Sequence, residues 1–283
     1  MTQYAVIGPG AVGTVIAHEI SKVAAVKLFG RREQQVVLNS GSNDYKINVS
    51  SLLLNSDTFD VIFVAVKVTK LASILPALQA MSHDNTVIIL CQNGMGQLDM
   101  LHEFNAVQAV VYISGQKTDD YVRHFQDKKL ILPVNQELQR ISQRLDATKL
   151  ELVVSPDYEA ALWFKLLVNL GINTVTALTK NTAHVLELPE VMQLTEQLLQ
   201  EGLRIARAEG LDFTAQTVQD IIAIYRTYAG DMGTSMYYDT LAGVLLEYDY
   251  IQGELQRLAR KHQLTTPLLD VCCTLLTGYQ YKR

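Results

Sequence analysis

The feature of this sequence that most constrains its fold is a glycine-rich turn near the N terminus. A β-rich run from Tyr4 to Ile7 leads directly into the turn, and a helical pattern follows over Ala11 to Val23. The turn reads Gly8-Pro9-Gly10-Ala11-Val12-Gly13. Its first glycine permits a sharp bend, its second lets a pyrophosphate approach the backbone, and its third allows close packing of helix on strand. We therefore predict a dinucleotide-binding unit rather than an accidental glycine-rich turn.

Composition and charge narrow the range of partners. With 283 residues, of which 48% are hydrophobic, the chain can bury a large core and is long enough for about two domains. A net charge of −5 and the lack of a basic run argue against nucleic acid and against an anionic membrane surface, but small anionic ligands remain possible. No signal peptide pattern and no uncharged apolar stretch of about 18 residues is present. A cytoplasmic protein is expected.

Cysteine and histidine patterns predict neither disulfides nor a metal site. The three cysteines, Cys91, Cys272 and Cys273, form no Cys-x-x-Cys motif and are expected to be buried, reduced thiols. The six histidines show no ligand spacing such as His-x-x-x-His. We expect no metal.

The pattern of predicted secondary structure changes near residue 155. Residues 1–155 alternate short β-rich runs with helical patterns, which predicts a parallel sheet covered on both faces, with an antiparallel edge ribbon at Tyr121 to Leu132. At Ser155-Pro156-Asp157, serine can cap a helix and proline suits its first position. Residues 156–283 then read as helical throughout, including Glu247 to His262. We predict an α/β domain over 1–155 and a helical domain over 156–283.

The second predicted strand ends at Phe29-Gly30-Arg31-Arg32, where an NAD-selective site would normally place an acid. Two guanidinium groups there can instead bind a 2′-phosphate, so we expect NADPH to be preferred over NADH. The alternative is that both arginines are solvated loop residues. Lys67 lies at the carboxyl end of another predicted strand, where it either contacts the cofactor or marks the return of the chain to solvent.

A polar column interrupts the most apolar helix of the second domain. Between Leu162 and Leu178 the only charge is Lys165, and Asn169 and Asn173 follow at four-residue steps, so all three share one helix face. Buried amides need hydrogen-bond partners, and a small polar ligand could supply them. Alternatively, Lys165 reaches the surface and the asparagines bond to backbone carbonyls in a helix contact.

Three other segments carry weaker signals. Asn93-Gly94-Met95-Gly96 follows a predicted strand at the carboxyl edge of the sheet, but an ordinary turn would also use Asn-Gly. Ser235 follows a glycine-bearing loop and could be a helix cap. Glu247 begins a later helix and could be a solvated acid at its start.

Taken together, these segments resemble the ketopantoate reductase family over nearly the whole chain. The blocks that carry the resemblance are Gly8-x-Gly10-Ala11-x-Gly13, Asn93-Gly94-Met95-Gly96, Trp163-x-Lys165-x-x-x-Asn169-x-x-x-Asn173-x-x-Thr176-Ala177, Ser235-Met236 and Glu247-x-Asp249-Tyr250-Ile251-x-Gly253. The resemblance implies a Rossmann-type NADP-binding domain followed by an all-α domain of the 6-phosphogluconate dehydrogenase C-terminal-like type. Gly115 to Asp120 departs from the more glycine-rich hairpin of the family, so contacts to substrate from this segment are in question.

The resemblance also implies roles for individual residues. Lys165 would be the general acid and Glu247 its acidic partner, and Asn93, Asn169, Asn173 and Ser235 would hold the substrate. The turn residues Gly8, Pro9, Gly10, Ala11, Val12 and Gly13 would bind the cofactor together with Arg31, Lys67 and Asn93, with Arg32 leaving the choice of phosphate-binding arginine open.

The expected reaction is NADPH-dependent reduction of ketopantoate to pantoate, in which Lys165 stabilises and protonates the oxygen that gains charge. Two alternatives remain. One is a related reductase acting on another 2-keto or 3-keto acid, and the other is a non-catalytic NADPH-sensing regulator. A homodimer is possible.

Overall fold

The computed structural model describes residues 2–281, which divide into two compact units. The first unit comprises residues 2–93 and 97–161, and the second comprises residues 94–96 and 162–281. The segment Gly94–Gly96 thus packs with the helical unit although it lies within the sequence of the α/β unit.

The first unit is built on one sheet. Within residues 2–281 its strands are β1 (Tyr4–Ile7), β2 (Val26–Gly30), β3 (Gln34–Ser40), β4 (Asn43–Ser51), β5 (Val61–Val64), β6 (Val87–Leu90), β7 (Ala106–Gln108), β8 (Val110–Thr118), β9 (Tyr121–Leu132) and β10 (Glu151–Val154). They are ordered β10-β9-β3-β4-β2-β1-β5-β6-β7, with β8 paired to β9. Its helices are α1 (Ala11–Ile20), α2 (Leu71–Met81) and α3 (Gln136–Leu145).

The central strands confirm the prediction of a parallel sheet that is covered on both faces. Every residue of β1, β5 and β6 is buried, because helices and loops cover both faces of this part of the sheet. Strands β2, β1, β5, β6 and β7 run parallel, so their carboxyl ends meet at one edge. That edge holds the glycine-rich turn after β1.

The prediction of a parallel sheet was wrong for the other half, which is mixed. Strands β3 and β4 form an antiparallel hairpin that the sequence pattern did not reveal, and β10 was also missed. Strand β9 is antiparallel to β8, as predicted for the ribbon, but it is not an edge strand because it also pairs with β3 and β10. Only Val36 and Leu38 of β3 are fully buried. Because most of its other residues are polar, the alternation of apolar and polar residues that indicates a strand is weak there.

The second unit is helical. Its α-helices within the described chain are α4 (Tyr158–Thr179), α5 (Pro189–Ala208), α6 (Ala215–Thr227), α7 (Ser235–Ala242), α8 (Gln252–Lys261) and α9 (Pro267–Gln280). The predicted helix from Glu247 to His262 is broken, because a 3₁₀ turn (Tyr248–Tyr250) precedes α8. Pro156 is not the first residue of α4, which begins two residues later. Ser155 Oγ instead accepts a hydrogen bond from Asp157 N at 3.1 Å.

Helix α4 is the core of the second unit. It is long and apolar enough to cross a membrane by length and composition, but 72% of its most apolar stretch is buried inside the protein. Trp163, Leu167 and Leu170 are among its buried residues. Burial of this kind is typical of a core helix in a folded domain.

Candidate active site

The turn after β1 has the geometry expected of a pyrophosphate cradle. Gly8 adopts φ 113°, a conformation that L side chains rarely take, and its N–H donates to Phe29 O at 2.9 Å. A Cβ at Gly13 would lie 2.1 Å from Gly8 O, so helix α1 could not approach the turn with any side chain there. A Cβ at Gly10 would meet nothing within 4 Å. The backbone at Gly10 is thus open to a ligand.

The N terminus of α1 can bind an anion. No side chain caps this end through a hydrogen bond among the residues described, and its first turn contains no acid. The N–H groups at the start of Ala11 and Val12 therefore add to the positive end of the helix dipole. These observations fit the phosphate part of a dinucleotide.

Alanine at Gly10 and at Gly13 should separate binding from folding. Gly10→Ala should weaken NADPH binding while changing the free energy of unfolding by no more than about 1 kcal/mol, since the site is open and φ is −87°. Gly13→Ala should weaken binding and also lower the free energy of unfolding by about 1–3 kcal/mol through overlap with Gly8 O. Fluorescence titration with NADPH and urea unfolding measure the two quantities. A Gly10→Ala variant that binds NADPH normally would contradict this account of the turn.

Three basic residues lie at the same edge of the sheet. Arg31 and Arg32 follow β2 and are exposed, and Arg32 Nε donates to Gln34 Oε1 at 3.3 Å. The Arg31 side chain has neither a hydrogen bond nor an ion pair with any described residue, so it is the arginine more available to a phosphate. Lys67 is exposed and precedes a 3₁₀ turn (Val68–Lys70) after β5. Cofactor contacts by these residues stay predictions.

The polar column of α4 is preserved in a continuous helix. Lys165 is half-buried, and Asn169 and Asn173 are only 8% and 4% exposed. Asn169 Nδ2 is buried and donates no hydrogen bond to any described residue. The alternative that this amide bonds to a backbone carbonyl is therefore wrong for Asn169. An unpaired buried donor is costly, which favours a ligand as its partner.

Two hydrogen bonds place other segments of the helical unit against α4. Thr176 Oγ1 lies 2.8 Å from Thr234 Oγ1, which holds the start of α7 next to the C-terminal half of α4. Thr234 caps α7 by accepting from Tyr237 N, so the alternative that Ser235 is the cap is wrong. Ser235 is the exposed first residue of α7. Gln252 Nε2 donates to Thr174 Oγ1 at 2.8 Å and fixes the start of α8.

Glu247 is not a solvated acid, since it is only 5% exposed. It directly precedes the 3₁₀ turn that contacts the loop Gly94–Gly96. Met95 N donates to Tyr250 O at 2.8 Å, and a Cβ at Gly94 would lie 2.2 Å from the same oxygen. Gly94 also has φ 89°, so glycine is required there for two reasons. Asn93, which is half-buried, immediately precedes this loop.

One basic residue at the glycine-rich turn was not predicted from the sequence. Lys117 on β8 donates from Nζ to Pro9 O at 2.7 Å. Nothing in the spacing of the sequence links two residues 108 positions apart. Only the pairing of β8 with β9 and their packing on α1 could have found this contact. Among residues 2–281, no group of three or more His, Cys, Asp or Glu side chains is placed to hold a metal ion, and the absence of a metal stays a prediction.

Comparison with known proteins identifies the family. Residues 4–136 match the family described as "Ketopantoate reductase PanE/ApbA", and residues 157–280 match "Ketopantoate reductase PanE/ApbA C terminal". The chain belongs to the ketopantoate reductase family. The resemblance and the fold class predicted from the sequence are thus confirmed, with a Rossmann-type first domain and an all-helical second one.

Individual relatives agree with this assignment. The chain is 28% identical to a 2-dehydropantoate 2-reductase of Mycobacterium tuberculosis strain H37Rv, over 98% of this chain and 97% of that protein. A dimeric ketopantoate reductase from Staphylococcus aureus is 42% identical, with TM-score 0.95 and 98% of both chains covered. A D-mandelate dehydrogenase, solved with NADH and anilino(oxo)acetate, has TM-score 0.89 at 17% identity, which shows a shared fold alone.

Membership of this family makes the chain an oxidoreductase, and the family together with the glycine-rich turn implies a nicotinamide dinucleotide as its cofactor. The residues of the turn fit that group, because Gly10 leaves its approach open and α1 offers uncapped N–H groups.

Proposed function

We propose that this ketopantoate reductase reduces 2-dehydropantoate to pantoate with NADPH, and that Lys165 is the general acid. The observation that carries the proposal is the polar column of α4. It places a half-buried ammonium one helical turn from Asn169, whose buried Nδ2 has no hydrogen-bond acceptor in the described chain. A keto acid with a carboxylate and a hydroxyl offers several such acceptors.

The residues supply the acid–base part of the reaction. NADPH, when bound, supplies the hydride that reduces C2 of the keto acid. The former carbonyl oxygen gains the electron pair of the broken π bond, and the Lys165 ammonium stabilises that charge and donates the proton that makes the alcohol. The lysine then regains its proton from solvent. Hydride and proton together account for both hydrogens added to the ketone.

The remaining polar residues hold the substrate. Amide side chains of Asn93, Asn169 and Asn173 each offer both donors and an acceptor, which suits a molecule bearing a carboxylate, a ketone and a hydroxyl. Ser235 adds a hydroxyl, and Glu247 is the acidic partner that orients the substrate or Lys165. A substrate without the hydroxyl would leave buried polar groups unpaired, so this set of side chains favours ketopantoate over simpler keto acids.

The residues proposed to bind the cofactor follow the carboxyl ends of the parallel strands. Residues Gly8 to Gly13 hold the pyrophosphate, Asn93 contacts the nicotinamide end, and Arg31 and Lys67 face the adenosine phosphates. Preference for NADPH is supported by two arginines, and no acid, directly after β2. Residues 1–155 would form the cofactor domain and 156–283 the substrate domain.

The cytoplasm is the proposed compartment, supported by three unpaired cysteines, as expected of a reducing environment. A homodimer is proposed because the S. aureus relative is dimeric.

Turnover tests the proposal directly. Purified protein mixed with saturating NADPH and ketopantoate should show loss of the nicotinamide absorbance and formation of pantoate. A panel of other 2-keto and 3-keto acids under the same conditions should give lower kcat/KM. Turnover of another acid but not of ketopantoate would favour the related-reductase alternative. NADPH binding without turnover of any acid would favour a non-catalytic sensor.

A further inference from the structure

The ribbon formed by β8 and β9 lies against the glycine-rich turn. At Gly115 the strand is so close that a Cβ would lie 3.2 Å from Ala11 Cβ and 2.7 Å from Arg123 O. Two residues later, Lys117 Nζ reaches the carbonyl of Pro9 at 2.7 Å. The close packing at Gly115 thus delivers an ammonium group to the turn.

Lys117 approaches the part of the turn that faces β2. The ring of Pro9 packs against the end of that strand, where its Cγ lies 3.0 Å from the position of a Cβ on Gly30. Arg31 and Arg32 follow Gly30 directly. Pro9 therefore contacts the end of β2 through its ring and the Lys117 ammonium group through its carbonyl oxygen.

The charges around Lys117 disfavour an ammonium group whose only role is to hold the glycine-rich turn in place. Burial is the main cause that lowers the pKa of Lys117, Asp120 opposes this effect, and Arg32 lowers the pKa further. A half-buried ammonium near a guanidinium is electrostatically costly until an anion neutralises both. Asp120 is exposed at the turn of the ribbon and offsets this cost only in part.

We propose that Lys117 is a specificity-determining residue that binds the 2′-phosphate of NADPH together with Arg31 and Arg32. This inference rests on the proposed use of NADPH. An ammonium has three donors, and Pro9 O takes one, so two remain for phosphate oxygens. A phosphate dianion would be met by three cations, of which Lys117 is already held in place by its bond to the turn.

Binding of the two dinucleotides without substrate tests the inference. Dissociation constants for NADPH and NADH are measured by calorimetry for wild type, Lys117→Gln, Lys117→Arg and Lys46→Gln. Lys117→Gln should weaken NADPH binding by at least about tenfold, the scale of a charge-assisted hydrogen bond, and change NADH binding less than about twofold. Lys117→Arg should recover part of the NADPH affinity. Lys46 is an exposed lysine on β4, and Lys46→Gln controls for the change in net charge.

The possible results separate this inference from the proposed reaction. If Lys117→Gln weakened the binding of NADPH and NADH equally, Lys117 would only hold the turn in place, and the inference would be overturned. Unchanged affinity for both would overturn it as well. Because binding is measured without a keto acid, lack of ketopantoate turnover would leave a shifted NADPH preference standing. A wild-type protein that binds both dinucleotides equally would overturn the inference while leaving NADH-dependent reduction open.

Discussion

Replacing Lys165 by alanine is expected to lower kcat with ketopantoate by about 100- to 10,000-fold, the range in which a positioned general acid contributes. Affinity for NADPH should change little, because the proposed cofactor residues lie in the first unit and Lys165 lies on α4 of the second. Steady-state kinetics and NADPH titration give the two quantities. A loss of turnover without a loss of NADPH binding is expected for a general acid that acts on the substrate.

Two further variants sharpen the Lys165 result. Lys165→Arg keeps the positive charge but cannot readily give up a proton, so its kcat should remain far below that of wild type. Lys46→Ala removes a lysine from an exposed strand position and should leave kcat unchanged. If Lys165→Ala retained full turnover, another group would be the acid. If it lost NADPH binding together with turnover, Lys165 would serve the cofactor instead.

The fold could be predicted from sequence where a short stretch carries its own signal. Strands β1, β5 and β6 are unbroken apolar runs, which is why a buried parallel sheet could be predicted there. The β3–β4 hairpin was missed because only a few of its side chains are buried, so its pattern of alternation is weak. The break before α8 was missed because it occurs at Ile251, whose φ of −118° and ψ of −81° have no marker in the sequence.

The candidate site could likewise be predicted only where the evidence for it lies in one short stretch of sequence. The spacing of Lys165, Asn169 and Asn173 is a local property of one helix, and helical geometry alone predicts their shared face. Contacts that depend on long-range packing were out of reach, such as Lys117 with Pro9 and Met95 with Tyr250. The exclusion of Ser235 as a cap also needed the structure, because Thr234 beside it is another residue type that commonly caps helices.

A buried carboxylate in α1 gives the second large expected effect, this time on stability. Glu19 is fully buried and accepts hydrogen bonds from Lys128 at 2.5 Å and Lys22 at 2.7 Å, and Lys149 N donates to it at 3.2 Å. Burial raises the pKa of Glu19, but the hydrogen bonds from Lys128 and Lys22 outweigh burial and lower the pKa to about 2. The ribbon and the loop before β10 are thus fastened to α1 through one side chain.

Glu19→Gln is therefore expected to lower the free energy of unfolding at neutral pH by about 3 kcal/mol, because the neutral amide removes the buried counter-charge of Lys128 and Lys22. The wild-type contribution is fully present above the usual glutamate pKa near 4.5 and is lost as pH falls from there toward 2. Urea unfolding at neutral pH and at pH values between 4.5 and 2 should show the gap between wild type and variant narrowing as pH falls through that range. Asp57→Asn is the matched control in the same unit, since its ion pair with Lys27 is half exposed and should cost less than about 1 kcal/mol. Equal losses from Glu19→Gln and Asp57→Asn, or a gap that widens in acid, would mean that Glu19 does not stabilise the fold through its charge.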